Sequence, residues 1–77
     1  MKYPLYMLPN QHPNQVVIQG KRDTFENILS DFGDGLVNRR VLSPVREQFR
    51  QHQSEIIRIR LDKETAGELL RMVSLSY

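Results

Sequence analysis

The hydrophobic pattern is clearest over residues 55–73, EIIRIRLDKETAGELLRMV. Aliphatic side chains occupy every second position at Ile57, Ile59 and Leu61, so they share one face of a predicted strand. The alternate positions place Arg58 and Arg60 on the opposite face. The spacing therefore predicts a strand with one buried face and one arginine-bearing face.

A helix is predicted directly after this strand. Asp62 suits the N-cap, because its carboxylate accepts backbone N–H bonds, and Glu64 suits the positive end of a helix. Apolar residues then recur at helical spacing, in a stripe formed by Ala66, Leu69, Leu70 and Val73. Gly67 interrupts this helix at a cost of about 1 kcal/mol relative to alanine. It either permits a close backbone approach or is a tolerated imperfection.

The N-terminal pattern predicts a β-hairpin. Residues 2–8 are interpreted as an edge strand, because Pro4 cannot donate to a ladder. Residues 16–19 form the second predicted strand. The connecting segment 9–15 is rich in Pro and Asn, holds no apolar side chain to bury, and is predicted to be a mobile loop.

A second amphipathic helix is predicted after Gly20. Asp23 and Glu26 have the spacing of a capping box, which predicts a helix start at Asp23. The helical stripe consists of Phe25, Ile28, Leu29 and Phe32. We expect Gly33 to end this helix in the left-handed conformation, with Asp34-Gly35 completing the turn.

Residues 36–42, LVNRRVL, fit both a strand and a short helix. We favour a strand, because a compact glycine turn precedes it and Ser43-Pro44 would stop it. Ser43 would then cap a short helix with Pro44 at its first position.

These elements give the order β-β-α-β-(short α)-β-α, which predicts the α+β class. We expect a small single-domain sandwich over residues 1–77, with a roughly four-stranded sheet and two main helices on one face. Residues 74–77 are expected to dock or to fray. The predicted core comprises Leu5, Val16, Ile18, Phe25, Ile28, Leu29, Phe32, Val37, Val41, Phe49, Ile57, Ile59, Leu61, Leu69, Leu70 and Val73.

Length and composition narrow the class of protein. A chain of 77 residues has room for one domain, and it contains no cysteine for a disulfide or a thiolate metal site. Neither His12 nor His52 has a partner at metal-ligand spacing, so no metal and no cofactor are expected. No apolar run approaches the roughly 18 residues of a membrane span, and we expect a cytoplasmic protein.

The charges are distributed unevenly along the chain. Residues 23–35 carry four acids and no base, whereas residues 36–60 carry six arginines and two glutamates. Arginine presents a planar fork of donors that suits carboxylate and phosphate. The candidate binding face consists of Arg39, Arg46, Arg50, Ile56, Arg58 and Arg60. The competing interpretation is a solvated surface whose arginines pair with Glu47, Glu55 and the acidic helix 23–32.

These features predict a small non-enzymatic interaction module, regulatory or accessory, that binds a protein partner or a second copy of itself. The alternative is RNA or DNA binding through the same arginines, with Tyr6 as the one ring placed for stacking. Gly20-Lys21-Arg22, before a helix N-terminus, is a further candidate site for an anion, although it lacks the framing of a P-loop. No nucleophile lies beside a base, so no catalytic residues are predicted.

Overall fold

The computed structural model describes residues 2–9, 12–33 and 35–75, and within them every side chain except that of Val37. The predicted α+β class is confirmed. The elements in chain order are β1 (Tyr6–Leu8), β2 (Gln15–Lys21), α1 (Arg22–Asp31), α2 (Leu36–Gln51), β3 (Ile56–Asp62) and α3 (Lys63–Ser74).

The sheet is antiparallel, with its strands in the order β1-β2-β3. Ile18 of β2 lies opposite Met7 on one side and Ile59 on the other. Residues that lie opposite each other share a face, so Ile57, Ile59 and Leu61 project with Ile18 toward the helices and are buried. The predicted burial pattern of β3 is therefore confirmed.

The predicted strand at 36–42 is wrong, and with it the four-stranded sheet, because these residues begin α2. Val41, Leu42 and Val45 are all buried. A strand would place Val41 and Leu42 on opposite faces, whereas a helix turns both toward the core. Burial of each such side chain is worth about 1.5–3 kcal/mol, enough to offset the roughly 3 kcal/mol cost of Pro44 inside the helix. The predicted stop at Ser43-Pro44 is wrong for the same reason.

The N-cap of helix α1 lies two residues before the predicted N-cap, Asp23. The observed N-cap is Lys21, and no side chain caps the helix, so the predicted capping box of Asp23 and Glu26 is wrong. The Arg22 N–H instead donates to the Glu55 carbonyl at 2.8 Å. A long-range backbone bond thus replaces the local side-chain cap.

The turn between α1 and α2 uses its glycines differently from the prediction. The positive φ lies at Gly35 (101°), so the left-handed assignment of Gly33 is wrong. A Cβ atom at Gly33 would lie 2.6 Å from the Leu29 carbonyl oxygen, which explains why a glycine occupies this position. The Gly35 carbonyl accepts from the Arg39 N–H at 2.9 Å and opens α2.

Helix α3 starts as predicted. The Asp62 carboxylate accepts from the Thr65 N–H at 2.7 Å. This bond lowers the pKa of Asp62 below its usual value of 3.8. Gly67 is exposed, and a Cβ atom there would meet nothing within 4 Å, which identifies Gly67 as a tolerated imperfection.

The core lies between the sheet and the three helices. Its buried members are Tyr3, Ile18, Phe25, Ile28, Val41, Leu42, Val45, Ile57, Ile59, Leu61, Ala66 and Leu69. Tyr3, Leu42, Val45 and Ala66 are not in the predicted core. The Tyr3 hydroxyl donates to the Asp31 carboxylate and the Tyr3 ring lies 5.3 Å from that of Phe32. The bond to Asp31, with burial and the Asp31 charge, raises the pKa of Tyr3 above 10.0.

Some predictions lie outside the described residues. They concern positions 10 and 11 of the mobile loop, Asp34 of the turn, the Val37 side chain in the core, and positions 76 and 77 of the tail.

Candidate functional site

The side of the sheet that faces away from the helices is called the open face below. The register and the strand alternation place ten described residues on it, which are Tyr6, Leu8, Gln15, Val17, Gln19, Lys21, Ile56, Arg58, Arg60 and Asp62. None of the described helices packs over this face, since all three contact the buried side chains of the opposite face. The open face is therefore an unpartnered layer of the fold.

One row of the open face joins an aromatic ring to a guanidinium. Tyr6 of β1 lies opposite Gln19 of β2, which in turn lies opposite Arg58 of β3. The Arg58 Nε donates to Gln19 Oε1 at 2.8 Å, which fixes the guanidinium against the sheet. Tyr6 is 61% exposed.

The next row has the same gradient from apolar to cationic. Leu8 lies opposite Val17, and Val17 lies opposite Arg60. The Arg60 guanidinium is exposed and makes no hydrogen bond to the residues that the structure describes. These two rows of the open face are thus apolar toward β1 and cationic toward β3.

A trough of about 480 Å³ crosses this face from β1 to the end of α2. Its floor includes Leu8, Val17 and the two arginines of β3, and one wall is formed by α2. The lining residues are Leu8, Pro9, Val17, Gln48, His52, Arg58 and Arg60.

Gln48 covers the outer edge of β3 at Arg60. Its Nε2 donates to the Arg60 carbonyl at 2.7 Å, and its Oε1 accepts from the Arg60 N–H at 2.8 Å. At this position the side-chain amide occupies the place that a neighbouring strand would take. Free edge groups are templates for pairing with another chain, and here one residue of α2 engages those of Arg60.

The outer edge of β1 is also a poor template. The strand contains three residues, and Pro9, which lacks an N–H, follows it directly. Pro4 lies two residues before it. Short edge strands and prolines both limit strand addition.

The structure divides the predicted arginine set into two groups. Ile56, Arg58 and Arg60 lie together on the open face. Arg46 and Arg50 are each two positions from Gln48, so they lie on nearly the opposite side of α2 from the trough. Arg39 and Arg46 line a separate concavity of about 360 Å³ with Gly33 and Ser43.

The sequence predicts pairing of the candidate-face arginines with Glu47, Glu55 or the acidic helix 23–32. An ion pair that the structure describes instead joins Arg40 Nη2 to the Glu68 carboxylate at 2.9 Å. This pair joins α2 to α3 and is largely exposed. Exposed pairs contribute about 0–1 kcal/mol. Among the described residues, neither Arg58 nor Arg60 has a carboxylate within 4.0 Å.

Arg22 has a structural role in the loop between α2 and β3. Its guanidinium donates to the His52 carbonyl at 2.6 Å and to the Ser54 carbonyl at 3.2 Å. It also lies 5.2 Å from the centre of the Phe49 ring, within the range of a cation–π contact. Two of the five guanidinium N–H donors of Arg22 are therefore engaged within the fold.

The other two residues of that turn also have structural explanations. A Cβ atom at Gly20 would lie 2.8 Å from Leu5 and 3.0 Å from Phe25, so close packing accounts for the glycine. Lys21 lies on the open face opposite Ile56. Anion binding at Gly20-Lys21-Arg22 stays a prediction, and Lys21 adds a third cationic residue to the open face.

Sequence reasoning missed Gln48 and His52 as members of the site. Gln48 and His52 lie seven residues, about two helical turns, after the buried Val41 and Val45. They therefore border the apolar side of α2, and this position is the signal that marks them. The signal becomes usable once α2 is known to be one continuous helix.

Within the described ranges, no three His, Cys, Asp or Glu side chains are grouped to hold a metal ion, and no helix has the length and apolarity to cross a bilayer. Comparisons with protein families, curated proteins and solved structures find no match to this chain.

Proposed function

We propose that this protein is a small non-enzymatic interaction module that binds an acidic partner protein on its open face. The observation that carries the proposal is the projection of Arg58 and Arg60 from a sheet face that no described helix covers. Two large apolar side chains on the same face, Tyr6 and Ile56, are 61% and 48% exposed. Guanidinium groups mixed with exposed aromatic and aliphatic side chains are typical of protein interfaces.

The charge of the open face favours an acidic partner. Lys21, Arg58 and Arg60 supply three cationic groups. The acid of this face, Asp62, already accepts the Thr65 N–H as the cap of α3. An acidic surface would thus meet complementary charge, which raises the association rate and orients the partner.

A different protein suits this face better than a second copy of the chain. Two copies joined face to face by a two-fold axis would bring the same surface patch together. Arg58 and Arg60 of one copy would then lie near those of the other, and like charges at an interface are unfavourable.

The proposal is tested with a fluorescently labelled polyglutamate peptide, whose binding is followed by anisotropy. The variant Arg58→Glu/Arg60→Glu should weaken binding about tenfold or more, since each exposed charge pair contributes about 0.2–1 kcal/mol and reversal replaces attraction by repulsion. The matched control is Arg39→Glu/Arg50→Glu, which changes the net charge equally on the far side of α2.

Absence of binding by the unaltered protein would contradict the proposal. So would an equal loss in both double variants, because binding would then depend on net charge alone. Circular dichroism of each variant verifies that the fold is intact.

A second candidate function is binding of single-stranded nucleic acid, and the Tyr6 ring in the row of Arg58 is the observation that favours it. Bases stack on exposed rings, and arginines bind the phosphates between them. We rank it second because effective platforms present several rings, whereas Phe25 is buried and Tyr3 is in the core.

This candidate predicts binding to single-stranded RNA that weakens steeply with salt and weakens further in Tyr6→Ala. Phosphate contacts release counterions, so the logarithm of the binding constant should fall linearly with the logarithm of the salt concentration. RNA binding that is absent, or independent of Tyr6, excludes it.

A further inference from the structure

We infer that the element of the partner that covers the open face is an amphipathic α-helix with acidic residues along one flank of its apolar stripe. The inference rests on the proposed function and specifies its ligand. Four features of the sheet lead to it. They are the hindrance to strand addition at the edges, the hydrogen-bonded backbone of the open face, the width of that face and the positions of its charged side chains.

The edges of the sheet hinder β-strand addition, a common way in which a peptide binds to a sheet. Strand addition needs a run of free N–H and C=O groups along an edge. Gln48 already binds both backbone groups of Arg60 within the β3 edge and so interrupts this run. The β1 edge has three residues and ends at Pro9. Both edges therefore favour a partner segment that lies on the open face itself.

A helix satisfies the requirements of that position. The backbone groups of the sheet are bonded within the ladder, so an extended segment lying on the face would bury its own N–H and C=O groups without partners. A helix satisfies its backbone groups internally and presents only side chains.

The width of the face corresponds to one helix. The axes of β1 and β3 are separated by two strand spacings, about 10 Å. A helix with its side chains is about 10–12 Å across. A single helix laid along the strands would cover Tyr6 and Leu8 at one side and reach Arg58 and Arg60 at the other.

The two arginines fix the chemistry of the acidic flank. Arg58 and Arg60 are two residues apart on a strand, so their Cα atoms are separated by about 7 Å. Residues four apart on a helix are separated by about 6 Å along its axis. Glutamates at positions i and i+4 would thus meet both arginines, while the adjacent apolar stripe packs on Leu8 and Val17.

The test uses three synthetic peptides of identical composition. The first is a helix former with an apolar stripe and glutamates at i and i+4 beside it. The second places the same glutamates at i and i+2, which disperses them around the helix. The third keeps the first pattern but moves a proline from the end of the peptide to its centre, which breaks the helix. Single-stranded RNA serves as a fourth ligand.

We expect the first peptide to bind about tenfold or more tightly than the second and third, because only it offers the apolar stripe and both charges together. Its helical circular dichroism signal should increase on mixing. Binding should weaken in Arg58→Glu/Arg60→Glu and in Tyr6→Ala, but not in Arg39→Glu/Arg50→Glu.

The remaining outcomes separate the inference from the proposed function. In one of them the three peptides bind equally, and binding is still lost in Arg58→Glu/Arg60→Glu. This result overturns the inference that the ligand is a helix and retains the proposal that the open face binds an acidic partner. Tighter binding of RNA than of every peptide overturns the inference in favour of nucleic acid. No binding of any ligand, or binding that Arg58→Glu/Arg60→Glu leaves unchanged, overturns both.

Discussion

Replacing Gln48 with alanine should destabilise the fold by removing the cover of the β3 edge. Its side chain makes bonds of 2.7 and 2.8 Å to the backbone of Arg60. A hydrogen bond contributes a net 0.5–1.5 kcal/mol, so two of them give about 1–3 kcal/mol. Both bonds lie near solvent, and water can replace the lost amide in part. We therefore expect a loss of about 1 kcal/mol, which lowers Tm by about 4–8 °C in a domain of this size.

The assay is urea unfolding followed by far-UV circular dichroism, with Gln51→Ala as the matched control. Gln51 is an exposed glutamine of the same helix, so the small gain in helix propensity from alanine is common to both variants. Gln48→Glu provides a second comparison. Its carboxylate can accept from the Arg60 N–H but cannot donate to the Arg60 carbonyl, and it should also be less stable than the unaltered protein.

Equal unfolding free energies of Gln48→Ala and Gln51→Ala would refute this reasoning. The β3 edge would then not depend on Gln48, and the hindrance to strand addition at Arg60 would lose its physical basis. Size-exclusion chromatography adds a readout of pairing, because an opened edge should increase self-association.

Three further predictions concern stability. Gly67→Ala should stabilise the protein by about 0.5–1 kcal/mol, because the site is exposed and has room for a Cβ atom. A decrease in the free energy of unfolding would instead show that Gly67 has a packing role. Arg22→Ala should destabilise the protein by about 2–3 kcal/mol, because charged hydrogen bonds to two carbonyls are lost. The control Lys21→Ala should be nearly neutral. Similar losses of stability in thermal melts of both variants would contradict the structural role of Arg22. The lowered pKa of Asp62 means that its stabilisation is present above about pH 3.8 and is lost as the pH falls through the folded-state value. Asp62→Asn caps the helix without titrating, so its acid-unfolding curve should lack this part of the pH dependence, and an unchanged curve would count against the cap.

The β3–α3 unit could be predicted from the sequence because its hydrophobic pattern fits a single choice of secondary structure. Alternation over Ile57, Ile59 and Leu61 fits a strand and no helix, and Asp62 supplies a cap at the required place. Residues 36–42 fit two periods equally well. The burial of Val41 and Leu42 against the sheet decided between them, and that contact is absent from any local pattern.

The candidate site could likewise be predicted only where the local hydrophobic pattern is unambiguous. Arg58 and Arg60 were assigned to the open face because the alternation of β3 is unambiguous. Arg39 is predicted to join them, whereas the observed helix over 36–42 places it on the far side of α2. Gln48 was missed because its role depends on which strand edge lies beside α2, a consequence of tertiary packing.

The central claim is that the open face is the binding surface, and mapping backbone amide chemical shifts tests it most directly. The ¹⁵N-labelled protein is titrated with the helical peptide that carries glutamates at i and i+4. The account predicts that the largest shift changes fall on the open face, at Tyr6, Val17, Gln19, Arg58 and Arg60. Changes concentrated on α2 around Arg39, Ser43 and Arg46, or the absence of any localised change, would contradict it.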